Sequence, residues 1–161
     1  MARLLVVGGS SCRALALTRD LVADGHAVRA VTRSEANRER IEAAGAECWI
    51  GDPDVVGTLR YALEGVTVLL WLLGNVERPE LHGSRLEMML SKTIDTTARG
   101  VVYEAGPPEG VANVERVAGY NEIPYRVVPV GGDLRRAVDE LLSSPAPGPA
   151  GPRGSAPSRP R

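Results

Sequence analysis

The chain predicts an α/β fold, a doubly wound parallel sheet that is Rossmann-like, with about six strands in the order 3-2-1-4-5-6 flanked by helices. Three observations carry this. Leu4-Leu5-Val6-Val7 is a near-continuous apolar run that breaks on Gly8-Gly9 and re-forms at helical spacing. Such runs mark strands buried on both faces, as in the middle of a parallel sheet. Strand-like and helix-like segments then alternate six times, and parallel neighbours need a right-handed crossover between them. The longest apolar run, Val66 to Leu73, comes fourth and reads as a central strand.

In order, the first helix carries Ala14, Leu17, Leu21 and Val22 on one face, and Gly25 closes it as a left-handed C′ residue. Residues 27–32 form the second strand. Ser34 caps a helix over Glu35–Ala44 with Ile41 inward and Gly45 as its stop. Glu47–Ile50 is the third strand. Asp52-Pro53 reads as N-cap and first helical position of a helix with Val56, Leu59 and Leu63 inside and Gly65 at its end. After the fourth strand, residues 76–83 form a polar loop with Pro79 and His82. Ser84–Ala98 is a helix whose apolar surface is too wide for one buried stripe, with Met88 outside it. Gly100–Ala105 is the fifth strand and Val111–Tyr120 a helix. Ile123–Val130 is a sixth strand placed at an edge by Pro124 and Pro129, which cannot donate to a ladder. Asp133–Leu142 is the last helix.

From Ser143 onward the chain holds half of its 12 prolines among Gly, Ala, Ser and Arg, so a disordered tail over 143–161 is expected beyond a domain at 1–142. Formal net charge is −1, and the three arginines of the tail leave 16 basic and 20 acidic side chains in residues 1–142. That balance gives no reason to expect a nucleic-acid partner. Neither a signal region nor a run of about 20 apolar residues is present, so no membrane partner and a cytoplasmic location are expected. Cys12 and Cys48 have no metal-ligand or disulfide spacing.

In such a sheet the ligand lies beyond the carboxyl ends of the strands, where their order reverses. Four segments should converge there: Gly8, Gly9, Ser10, Ser11, Cys12 and Arg13; Thr32 and Arg33; Gly51 and Asp52; and Leu73, Gly74 and Asn75. The first is a strand, glycine turn and helix start, which is either a phosphate site or a plain strand–helix turn. Its spacing fits G-x-x-G-x-x-G with Ser11 and Ala14 at the second and third glycine positions, and Ser11 puts a side chain where a pyrophosphate would approach. An NAD site carries an acid at the end of the second strand. Here Thr32-Arg33-Ser34 stands instead, so Arg33 is either a reader of a 2′-phosphate, favouring NADP over NAD, or an exposed arginine near a cap. Arg13 either reaches the same phosphate or lies on the surface. Asp52 either accepts from an adenine amino group or only caps a helix.

On these residues the chain resembles the NAD(P)-binding half of the atypical and extended short-chain dehydrogenases, the NAD-dependent epimerase/dehydratase-like and NmrA-like group. The resemblance spans about residues 3–130: Leu4–Gly9 as the opening strand and turn, Thr32-Arg33 as an NADP-type strand end, Gly51-Asp52 as the third-strand end and Leu69–Gly74 as the fourth strand. It implies a bound NADP or NAD, a small-molecule substrate and a homodimer through the 84–98 helix. The family's catalytic Tyr-x-x-x-Lys has no counterpart. Tyr61, Tyr103, Tyr120 and Tyr125 are followed four residues later by Gly65, Pro107, Pro124 and Pro129, and Lys92 is the one lysine. The family's substrate lobe has no counterpart either, and catalytic residues stay unknown. Tyr103 with Glu104, Cys12, His82 and Lys92 remain candidates for chemistry, against the commoner readings of core for Tyr103, turn filler for Cys12, loop for His82 and solvated face for Lys92. Three readings stay open: an oxidoreductase- or epimerase-like NADP-binding domain, a non-enzymatic dinucleotide sensor, and a shortened paralogue that binds nothing.

Overall fold

A computed structural model of the protein describes residues 2–143; the expected tail lies, from residue 144, outside the described residues. Six strands, β1 (Arg3–Val7), β2 (Ala27–Thr32), β3 (Glu47–Ile50), β4 (Val68–Trp71), β5 (Gly100–Ala105) and β6 (Tyr125–Pro129), form one parallel sheet in the order β3-β2-β1-β4-β5-β6. Helices α1 (Cys12–Ala23), α2 (Arg38–Ala43), α3 (Ser84–Ile94), α4 (Pro108–Tyr120) and α5 (Leu134–Ser143) flank it. This is the Rossmann-like arrangement that the alternation requires.

Successive strand residues face opposite sides, so the apolar runs feed two cores. Leu4 and Val6 pack with Leu17, Leu21 and Val138 on one face, while Leu5, Val7, Trp71 and Tyr103 pack with Leu86, Met89 and Val114 on the other. Pairing sets Val31, Val7, Trp71 and Tyr103 side by side across the sheet. The residues that follow them, Thr32, Gly8, Leu72 and Glu104, therefore lie at one level at the carboxyl ends of the strands, beside the site.

Several element boundaries differ from expectation for local reasons. The helix expected after Asp52 does not form. Asp52 pairs with Val55 in a tight bridge, and the chain continues as two 3₁₀ turns, Val56–Leu59 and Tyr61–Leu63. The Asp52 carboxylate accepts from the Asp54 N–H at 2.9 Å, and the Thr58 hydroxyl donates to the Val55 carbonyl at 2.7 Å. Local bonds of this kind compete with an α-helical ladder, and Gly57 weakens it further. The apolar stripe survives the change, since Val56, Leu59 and Leu63 are all buried. The second helix begins with a 3₁₀ turn over Glu35–Asn37, where Ser34 accepts from the Ala36 N–H. Helix α3 stops at Ile94, because Thr96 donates to the Thr93 carbonyl and turns the chain, leaving Met88 and Ile94 exposed. Helix α4 starts earlier than expected, on Pro108, a residue suited to a first helical turn. Strand β6 is an edge strand as expected. Strand β3 forms the other edge, and Cys48 on it is half-buried. None of the helices among the described residues is long and apolar enough to cross a membrane.

Candidate functional site

The carboxyl ends of β1, β2, β3 and β4 enclose a cleft of about 570 Å³. That lies within the range of small-molecule and cofactor sites, roughly 300–1,000 Å³. Gly8, Ser10, Ser11 and Arg13 form one wall, Thr32, Arg33 and Ser34 a second, and Leu73 with Asn75 a third. All four segments expected to converge reach the cleft, although Gly9, Cys12 and Gly74 do not line it. The segment after β3 contributes Gly51 and Pro53 to the lining, while Asp52 is turned into its own bridge.

The glycine turn is built by close approach. Gly8 sits at φ +82°, and a Cβ there would collide with the Leu72 carbonyl oxygen; a Cβ on Gly9 would lie 2.6 Å from that of Ala30. Both residues let β1 run against its neighbours before the chain turns into α1. Ser11 is the N-cap of α1, its Oγ accepting from the Ala14 N–H at 3.1 Å. The hydroxyl proton remains available to a ligand, because capping uses only the acceptor side. The amides of Cys12 and Arg13 find no acceptor among the described residues, as expected at a helix start. Cys12 itself is exposed.

At the end of β2 the buried Thr32 hydroxyl accepts from Asn37 Nδ2 at 2.9 Å and from the Ser34 N–H at 3.3 Å. Thr32 thereby shapes the loop, and Asn37, which sequence reasoning did not single out, joins the cleft lining. Its short polar side chain in a 3₁₀ turn carries no periodic signal. Arg33 is exposed and forms no ion pair among the described residues.

Arg13 takes the opposite direction. Its Nε lies 3.0 Å from Glu104 Oε2 and its Nη2 2.7 Å from Glu104 Oε1, a two-pronged pair between the start of α1 and the end of β5. Glu104 is 1% exposed, and its Oε1 also accepts from the Gly74 N–H at 3.0 Å. The hydrogen bonds to Glu104 hold the Arg13 guanidinium above its ordinary pKa, against the opposing effect of burial. Gly74 borders a second, smaller cavity of about 330 Å³, which shares Val76 with the main cleft.

His82, expected on a polar loop, is 1% exposed and borders that second cavity. Its Nδ1 lies 2.7 Å from the Tyr103 hydroxyl, and its Nε2 3.2 Å from the Val76 carbonyl. A short 3₁₀ turn over Pro79–Leu81 folds the loop inward and brings it there. Lys92 lies away from both cavities, on the outer groove of α3 with Met88 and Asp95. Among the described residues there is no cluster of three or more His, Cys, Asp or Glu able to hold a metal ion.

No family model and no curated protein matches the sequence. Solved structures share the fold. The chain is similar to NmrA, a negative transcriptional regulator (TM-score 0.64, 17% identity, 80% of this chain and 45% of that one). It is similar to the triphenylmethane reductase of Citrobacter sp., solved in complex with NADP(H) (TM-score 0.61, 18% identity, 77% of this chain and 48% of that one). It is also similar to the UDP-glucose 4-epimerase of Bifidobacterium longum, solved with NAD+ and UDP (TM-score 0.59, 11% identity, 79% and 52%). The chain spans about half the length of these structures.

Proposed function

We propose that this chain is a nicotinamide-dinucleotide-binding domain that prefers NADP. The observation that carries the reading is Arg33. An exposed guanidinium without an acidic partner among the described residues stands at the end of β2, on the wall of the same cleft as the open amides of α1. At that place in a doubly wound fold an arginine suits a 2′-phosphate, whereas an acid would suit the free ribose hydroxyls of NAD. The donor set fits such a ligand. The Cys12 and Arg13 amides and the Ser11 hydroxyl are donors facing the diphosphate position, with the helix dipole adding positive potential. Leu73 and the backbone at Gly74 would bound the nicotinamide half. The NADP(H) complex of the similar reductase supports the same reading by fold likeness. A bound nicotinamide supplies hydride-transfer chemistry; this chain's residues bind and orient it.

A second reading, a dinucleotide sensor without catalysis, draws on one observation. Tyr103 and His82 satisfy each other inside the core, and Lys92 lies on another face, so no tyrosine–lysine pair meets the cleft. The exposed Met88 and Ile94 on α3 support pairing with a second copy of the chain, and a monomer mass by light scattering at micromolar concentration would count against that.

Calorimetric titration with NADP+, NADPH, NAD+ and NADH tests the proposal. Binding of the NADP forms at least tenfold tighter than the NAD forms is expected, with Arg33→Ala removing the difference. Equal affinities in the wild type would overturn the role of Arg33, and no binding of any of the four would overturn the whole reading.

A further inference from the structure

The Arg13–Glu104 pair has a geometry that stability does not require. Glu104 is 1% exposed and Arg13 31%, so the carboxylate has been taken out of water at a cost that apolar residues of similar size would not incur. Its neighbour across the sheet is apolar, the buried Val128 of β6. What the pair does achieve is orientation. Glu104 takes the Nε and Nη2 edge of the guanidinium with both oxygens, and the Gly74 N–H fixes the carboxylate from the β4 side. Three donors on two oxygens leave the carboxylate little freedom to turn. The guanidinium is a rigid planar fork, so fixing one edge also fixes the other. The other edge, Nη1, finds no acceptor among the described residues, and Arg13 lines the main cleft one residue after the open Cys12 amide.

We propose that Arg13 reads the diphosphate of the bound dinucleotide through Nη1 and that Glu104 is the positioning residue that aims it. The inference rests on the dinucleotide reading above and assigns the two cationic side chains of the cleft separate tasks. Arg33, at the β2 end, meets a phosphate on the ribose. Arg13, on the β5 side of the glycine turn, meets the diphosphate with its charge already half-engaged. An arginine bridging a carboxylate and a phosphate keeps charge-assisted bonds on both edges. A free arginine would have to be ordered by the ligand itself, at the expense of affinity.

The test compares three probes on the full chain by calorimetry: NADP+, ADP, which has the diphosphate without a 2′-phosphate, and adenosine 2′-monophosphate, which has the reverse. Glu104→Gln should weaken ADP and NADP+ at least tenfold and leave adenosine 2′-monophosphate within twofold of wild type. Arg33→Ala should weaken adenosine 2′-monophosphate and NADP+ and leave ADP within twofold of wild type. Arg13→Lys keeps a cation beside Glu104 but lacks the second edge, so it should reproduce the Glu104→Gln pattern and serves where that variant does not fold. If both variants weaken ADP and adenosine 2′-monophosphate in parallel, or neither changes ADP, the positioning role is overturned while NADP+ binding by the wild type keeps the dinucleotide reading intact. Absence of wild-type binding to all three probes would overturn that reading and the inference with it.

Discussion

The Tyr103 hydroxyl donates to His82 Nδ1 across 2.7 Å, and both side chains are sealed from solvent. The direction follows from the far side of the ring. Nε2 faces the Val76 carbonyl, which can only accept, so Nε2 carries the proton and Nδ1 is the acceptor. The phenol and both ring nitrogens are thus paired inside the core. Tyr103→Phe leaves His82 Nδ1 without that partner. A loss of about 1–3 kcal/mol is expected, the cost of an unpaired buried polar group, measured by denaturant unfolding.

The same burial pushes the Tyr103 phenol above its ordinary pKa. In the unfolded chain the phenol ionises near pH 10, whereas in the native protein it stays neutral to higher pH. This contribution to stability is complete below about pH 10 and is lost as pH rises through the native value. Alkaline titration followed by phenolate absorbance should show Tyr103 ionising late, together with unfolding.

Two glycines of α4 should respond in opposite senses. A Cβ on Gly110 would fall inside the van der Waals surface of the Tyr103 hydroxyl, while one on Gly119 would meet nothing within 4 Å. Gly110→Ala should destabilise by about 1–3 kcal/mol through overpacking. Gly119→Ala should stabilise by up to about 1 kcal/mol through helix propensity. Thermal melts of the two variants check the sign of each.

Ser11 offers a direct test of its two tasks. Ser11→Ala removes the cap of α1 and should cost about 1 kcal/mol, whereas Ser11→Gly should cost only a few tenths. If the hydroxyl also donates to the ligand, both variants should bind NADP+ more weakly by a similar factor. A tighter Ser11→Gly variant would show the side chain to be an obstacle.

How far these features could be read from residues alone depends on their range. The strands, the glycine turn and the convergence of Thr32, Arg33 and Leu73 on one cleft were legible, because apolar runs and turn glycines are local signals. The 3₁₀ turns after Asp52 were not, since their buried positions Val56, Leu59 and Leu63 also satisfy a helical stripe. Contacts between distant segments left no trace at all. Glu104 stands near the end of β5 and reads as its polar end, and nothing near it announces a partner 91 residues earlier. His82 reads as a loop residue because the cavity that receives it is made by Gly106 and Gly110, which a Cβ would fill.

The Asp54 carboxylate ties the loop after β3 to the segment after β4, reaching Arg78 at 2.5 Å and Arg85 at 3.2 Å. The Arg85 and Arg78 guanidinium groups hold this carboxyl below its ordinary pKa, so the tie is complete above about pH 4 and is lost as pH falls through the lowered value. Asp54→Asn should speed amide exchange over residues 76–83 with little change in the melting temperature. All three side chains are at least partly exposed, and such pairs weaken as salt is added. The tie between these two segments is therefore governed by charge rather than by packing, and it loosens as ionic strength rises.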